Sequence, residues 1–194
     1  MSRAGNGAAT NESPPARSPH PAPPRPLVAR RGVVVPLTPE QWLGVGLLGN
    51  MRQVGQLWAA HEEATGGDPD DATDNHTLGV AGELGAHLSL NLRWTSFSTR
   101  CRHWPDVGRR IEVRATDWPD GCLIIQPRDR PDRPFVLALI EPPHVRLAGW
   151  MLGREAKVDR WKRTNRNGAP VWYVPQWALR EYDPAVLRWL DAAP

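Results

Sequence analysis

The sequence predicts an α+β fold, with an α/β-type core in which helices pack on a central mixed β-sheet. Three observations carry that prediction. Two segments between residues 38 and 93 repeat their apolar positions with a helical period, the pattern changes to period two after Trp94, and no internal repeat is evident. At 194 residues the chain holds one ordinary domain with some chain to spare, and its hydrophobic fraction of 40% suffices for a core.

The spare chain is at the start. Many of the 21 prolines fall in the first 36 residues, where SPPARSPHPAPPRP has almost no large apolar side chain. Such a segment cannot bury enough surface to offset its ordering entropy, so residues 1–36 read as a disordered Pro-rich tail and 37–194 as a single domain. No apolar run follows the early arginine as a signal peptide would require. No run approaches the roughly 18 apolar residues of a membrane span either, so no membrane partner is expected.

The first helix starts at Thr38. Thr as N-cap, Pro39 at the first helical position and Gln41 three residues after the cap form a capping-box signature. Leu47, Met51, Val54 and Trp58 then share one face, while Gly44, Gly46, Gly49 and Gly55 weaken the helix. ATGGDPDDATDNH (64–76) reads as an acidic loop. A second helix is expected over about residues 77–93 (TLGVAGELGAHLSLNLRW), apolar nearly all round and therefore buried. It carries Glu83, with His87 one turn on as the neighbour best placed to satisfy that acid.

Strands are expected at 107–116, 122–126, 135–141 and 145–152, separated by turn-rich pieces such as DWPDG and PRDRPDRP. Residues 153–170 read as helical at first and then as a loop; a short strand and a helix close the chain. Trp150 and Trp177 lie in apolar surroundings and read as core.

Charge and cysteine usage narrow the function. Residues 41–93 hold two arginines against seven acids, whereas 94–194 hold 17 basic against 12 acidic residues. A basic C-terminal half suits an anionic partner such as nucleic acid. Arg154, Lys157, Arg160, Lys162, Arg163 and Arg166, with Trp161 among them, have the make-up of a phosphate-binding element with a stacking aromatic; a solvated basic loop is the plainer reading. Cys101 and Cys122 are too few for a disulfide framework and indicate a reducing, cytoplasmic setting. With His103 they make a C-x-H…C fragment that lacks a fourth zinc ligand.

The chemistry concentrates in WPDVGRRIEVRAT (104–116). By strand parity Ile111, Val113 and Ala115 point to the core, and Glu112, Arg114 and Thr116 share the other face. Gly108 can bend the chain and bring the Asp106 carboxylate near Glu112. Converging carboxylates need a proton or a cation between them, and hard divalent cations prefer carboxylate and carbonyl oxygens. The carbonyl of Val113 adds a further donor. A bland alternative is a Glu112–Arg114 ion pair on a solvated face.

Pro105-Asp106 followed by Glu112-Val113-Arg114 resembles the PD-(D/E)XK nuclease superfamily, over about residues 77–141. The resemblance implies a restriction-endonuclease-like fold, Mg²⁺ (Mn²⁺ as an alternative) held by Asp106, Glu112 and the Val113 carbonyl, and hydrolysis of DNA phosphodiesters. Glu83 matches the helix-borne acid that many members place near the metal or its water. No small-molecule cofactor is implied. The departure is Arg114 where the family usually has Lys. Arginine keeps its proton at working pH and cannot serve as a base, although it can position water or stabilise charge. Two outcomes stay open, a working nuclease and a catalytically inactive nucleic-acid-binding module of the same fold. A third reading is an interaction protein that recruits a partner through its Pro-rich tail. A second E-x-K, Glu155-Ala156-Lys157, follows Gly153 in a helix-favouring context, whereas the family motif needs a strand.

Overall fold

The computed structural model describes residues 31–62, 69–94, 104–164 and 168–193. Two sheets and four α-helices make up an α+β architecture. The larger sheet contains β1 (Val33–Pro36), β2 (Glu112–Thr116), β4 (Pro134–Glu141) and β5 (His144–Leu152), in the order β1-β5-β4-β2. It is mixed: β2 runs parallel to β4, while β4 and β1 are both antiparallel to β5. A three-stranded antiparallel sheet holds β3 (Leu123–Ile125), β7 (Pro170–Val174) and β6 (Lys162–Thr164), in that order.

The helices are α1 (Pro39–Glu62), α2 (Pro69–Leu90), the one-turn α3 (Gly153–Ala156) and α4 (Pro184–Ala192). Thr38 caps α1 as expected: its backbone N–H donates to Gln41 Oε1 at 2.8 Å, and the Gln41 N–H donates to Thr38 Oγ1 at 3.3 Å. Asp183 caps α4, its Oδ1 accepting the N–H of Ala185 at 2.8 Å.

The two faces of the larger sheet bury different cores. On one face Val113, Val136, Ala138, Val145 and Leu147 pack with Val80, Ala81, Leu84 and Leu90 of α2 and Leu187 of α4. On the other face Phe135, Leu137 and Leu139 meet Leu123, Ile125 and Val174 of the small sheet, with Trp161 and Leu179. β4 lies between the two cores and is buried along its whole apolar run, which is why FVLALI does not alternate. Gly82 and Gly85 let α2 lie close on the sheet. A Cβ on Gly82 would come within 2.9 Å of the Ala115 Cβ, and one on Gly85 within 2.6 Å of Val145 Cγ1.

Several expectations need correction. The tail does not extend to residue 36, because Val33–Pro36 add a strand to the sheet edge and bury Val35. The second helix begins at Pro69 and not near 77, so the acidic stretch from 69 onward continues the helix. The apolar stripe of α1 faces outward: Leu47, Met51 and Val54 are exposed, and the buried side carries Val45, Gly49 and Gln53. Gly49 is the reason, since a Cβ there would meet Thr77 of α2 at 2.5 Å; the small residue turns that side toward its partner. The side chain of Trp58 lies outside the described residues. Trp150 is core, but Trp177 is 65% exposed and touches Trp161 edge-on. Past Ala156 the basic segment forms a 3-10 turn and strand β6. No helix of the described residues is long and apolar enough to cross a membrane.

Candidate active site

β2 is an edge strand, and its parity holds. Val113 and Ala115 face α2, while Glu112 and Arg114 lie beside Phe135 and Leu137 of β4 on the opposite face. An edge position leaves that face open on one side, which is how two charged residues fit within a sheet. Arg114 stays over the rim of the second core, its guanidinium 5.2 Å from the Phe135 ring centroid.

Asp106 is delivered by a tight turn. The backbones of Val107 and Ile111 pair across it, with N–H···O distances of 3.1 and 3.2 Å. Gly108 at its apex has φ +65°, the left-handed region that glycine enters at little cost. The turn is tied to α4, because Asp191 Oδ1 accepts the N–H groups of Arg109 at 2.7 Å and Arg110 at 2.8 Å. The turn also folds Asp106 back over β2, where Oδ2 accepts the Val113 N–H at 2.8 Å.

Three acids then act on one another. Asp106 is half-buried as a residue, with its carboxyl group turned into the protein. Its pKa lies well above the usual carboxylate range, first because burial penalises the charged form and then because Glu83 and Glu112 are close enough to repel it. The Val113 N–H and Arg114 pull in the opposite direction and lose. The sequence thus joins Glu83, Asp106 and Glu112 electrostatically, although 29 positions separate the first from the last.

Two of the acids hold arginine partners. Glu83, on α2, takes a two-pronged contact from Arg52 of α1, at 2.8 and 2.6 Å, and a third hydrogen bond from Trp94 Nε1 at 3.2 Å. His87 is not its partner: the ring bonds the Leu92 carbonyl and stacks on Trp94. Glu112 is bound by Arg133 and lies 4.0 Å from Arg114. Arg114 in turn donates to Asp129 at 3.0 Å and to the Val113 carbonyl at 3.3 Å. The Val113 carbonyl expected as a metal donor is therefore engaged by a guanidinium. Among the described residues no group of three or more His, Cys, Asp or Glu side chains is arranged to hold a metal ion.

The donor chemistry still suits a hard cation. Asp106 and Glu112 offer carboxylate oxygens, and the repulsion raising the Asp106 pKa is what a divalent ion between them would relieve. Arg133 is the cation such an ion would have to displace from Glu112.

The expected phosphate-binding residues differ in their surroundings. Arg154, Lys162 and Arg163 are exposed, and Arg160 lies over Trp161. Lys157 is directed inward, donating to the carbonyls of Pro127 at 2.9 Å and Asp129 at 2.5 Å, so it braces the loop that holds Arg114. Arg166 and the Cys101 and His103 of the C-x-H fragment lie outside the described residues. The second E-x-K occupies α3 and its C-cap, not a strand; Glu155 bonds Arg180 at 2.6 Å.

Sequence reasoning missed Arg52, Asp129, Arg133 and Asp191. PRDRPDRP offers several acids and arginines at similar spacing, and nothing in its pattern selects Asp129 for Arg114 or Arg133 for Glu112. No family model matches this chain, and no curated protein or solved structure matches it either.

Proposed function

We propose that this chain is a Mg²⁺-dependent nuclease of the PD-(D/E)XK kind, hydrolysing DNA phosphodiesters at the Glu83, Asp106 and Glu112 site. The observation that supports this most is the inward-turned Asp106 carboxyl, whose pKa is raised by burial and by both other acids. Burial and like-charge repulsion acting together on one carboxyl are the arrangement by which active sites shift pKa values, and that supports reading this cluster as a site. The mixed sheet, with an acid-bearing helix packed on the strand of Glu112-Val113-Arg114, is in keeping with a restriction-endonuclease-like core.

Asp106 and Glu112 would hold the ion, and the Val113 carbonyl would join them once Arg114 releases it. Bound Mg²⁺, or Mn²⁺, supplies Lewis-acid polarisation of the phosphate and a water of lowered pKa. Glu83, fixed by Arg52 and Trp94, orients the attacking water. Arg114 keeps its proton and is steadied by Asp129, so its part is to stabilise charge on the phosphate, not to remove a proton. The exposed cations Arg154, Arg160, Lys162 and Arg163 attract the DNA backbone.

One observation favours the inactive binding module instead: Arg52 and Arg133 already compensate Glu83 and Glu112, a cation's task performed without a metal. Incubation of plasmid, linear and branched DNA with Mg²⁺, Mn²⁺ or EDTA separates the two. A nuclease cuts only with metal, and Glu112→Gln lowers the rate by about 10²- to 10³-fold, on the scale of losing one charge-stabilising group. Salt-sensitive binding with no cutting in any metal assigns the module.

A further inference from the structure

An open cleft of about 510 Å³ lies beside the turn that carries Asp106, lined by Leu92, Arg93, Trp104, Pro105, Gly108, Arg109 and Asp191. Three of these, Trp104, Pro105 and Gly108, bracket Asp106 in the chain, so the segment delivering that acid is also a wall of the cleft. Trp104 is 58% exposed, and of the exposed tryptophans it is the one that lines this cleft, so its indole face is open at a concave site. Arg93 and Arg109 are exposed, and among the described residues neither guanidinium has a hydrogen-bond or ion-pair partner. The arginines closest to the acids, Arg52, Arg114 and Arg133, are all committed to carboxylates. The Asp191 carboxylate also lines the cleft, its Oδ1 accepting two backbone N–H groups, and the two arginines leave the lining net positive.

We infer that this cleft takes one unpaired nucleotide of DNA next to the cleavage site, the base stacked on Trp104 and its flanking phosphates held by Arg93 and Arg109. An exposed indole with two uncommitted guanidiniums at one concave site is the chemistry of single-strand binding. The π-face accepts any base, and the cations follow the backbone. The side chains of Leu92 and Pro105 extend the apolar floor and carry no donor or acceptor to read a base edge, so stacking there is indifferent to sequence. A base within a closed duplex cannot reach Trp104 without unstacking, which directs the enzyme to strand ends, flaps or gaps. In naming DNA as the ligand the inference rests on the nuclease reading above.

Fluorescence anisotropy of the full chain in EDTA tests the cleft independently of cutting, with a labelled oligo-dT of about 12 nucleotides and a blunt duplex of equal length as probes. Trp104→Ala is expected to weaken oligo-dT binding about 5- to 150-fold, the range for loss of one stacked base, and to change duplex binding less than about 2-fold. Trp104→Phe retains most of the affinity. Arg93→Ala and Arg109→Ala each flatten the salt dependence by about 0.7 in slope, one phosphate contact apiece. Unchanged circular dichroism and Tm certify folding, as suits exposed positions. No oligo-dT binding by the wild type, no loss in Trp104→Ala, or an equal loss on duplex overturns the inference. Trp104-dependent oligo-dT binding with no cutting in Mg²⁺ leaves the cleft standing and removes the nuclease reading; cutting with no Trp104 effect does the reverse.

Discussion

The chain contains the triplet acid–apolar–base twice, as Glu112-Val113-Arg114 and as Glu155-Ala156-Lys157, and the two could hardly be used more differently. The first lies on an edge strand with its acid beside Arg133, within repelling distance of Asp106. The second turns through one helical turn: Glu155 reaches an arginine that is itself 53% exposed, and Lys157 is taken up by loop carbonyls. Backbone conformation separates them. A strand sends the acid and the base of the triplet to one face, whereas a helix points residues i and i+2 in different directions. What singles out the first triplet as the candidate is therefore not its letters but the other acids that the fold brings to it.

That contrast breaks first, and most visibly, at the Arg52–Glu83 pair. Both side chains are largely buried, at 18% and 7% exposure, and the contact joins α1 to α2. Removing one partner leaves a buried charge, so Arg52→Met is expected to lower the unfolding free energy by about 3–5 kcal/mol in urea titrations. Converting both, Arg52→Met with Glu83→Leu, returns most of that stability while abolishing any cutting that needs Glu83. A loss below about 1 kcal/mol for the single variant would mean that this pair behaves like a surface one and that Glu83 is not held in a dry site.

The same contrast shows where the sequence was legible. The Thr38 cap, the buried α2, the parity of β2 and the order of Glu83, Asp106 and Glu112 could all be read, because each depends on local periodicity or on a short chemical pattern. The arginine partners could not. Arg52 meets Glu83 because Gly49 lets α1 approach α2, and Arg133 meets Glu112 because β2 pairs with β4 in a particular register. Both are consequences of tertiary packing and leave no local signal. The outward stripe of α1 misled for a related reason: its apolar period was real, but the small residues decided which side was buried. Of the three-stranded sheet, β3 and β7 are legible as strands, but β6 is only three residues long, lies in a segment that reads as a loop, and nothing local pairs the three.

Asp106 offers a gentler test, in which removing a charge stabilises. Its folded pKa is raised, so in EDTA the native state of the wild type loses stability as pH rises from about 4 through that pKa, and the loss is complete above it. Asn keeps an oxygen for the Val113 N–H and cannot ionise. Asp106→Asn should therefore melt several degrees above the wild type at pH 8, with the gap closing below pH 4. Added Mg²⁺ should raise the wild-type Tm and leave the variant unmoved, by mass action on the folded state. A variant that melts at or below the wild type at pH 8 would show that Arg114 and the Val113 N–H outweigh burial and the two neighbouring acids.

The smallest effect belongs to the second triplet, and its smallness is the point. Glu155 bonds Arg180 at 2.6 Å, and its other oxygen accepts the Leu152 N–H at a long 3.4 Å. The short ion pair looks as persuasive as anything around Glu112, yet water reaches both partners, so screening and side-chain entropy consume most of the Coulomb gain. Glu155→Gln keeps an amide oxygen for the Leu152 N–H and is expected to change stability by no more than about 1 kcal/mol, and less in high salt. Any metal-dependent cutting should proceed at the wild-type rate, because among the described residues the partners of Glu155 are Arg180 and the Leu152 N–H, not other acids. A Glu155→Gln variant that folds normally and loses cutting as completely as Glu112→Gln would transfer the active site to α3, and would show that the exposed triplet, not the buried cluster, meets the phosphate.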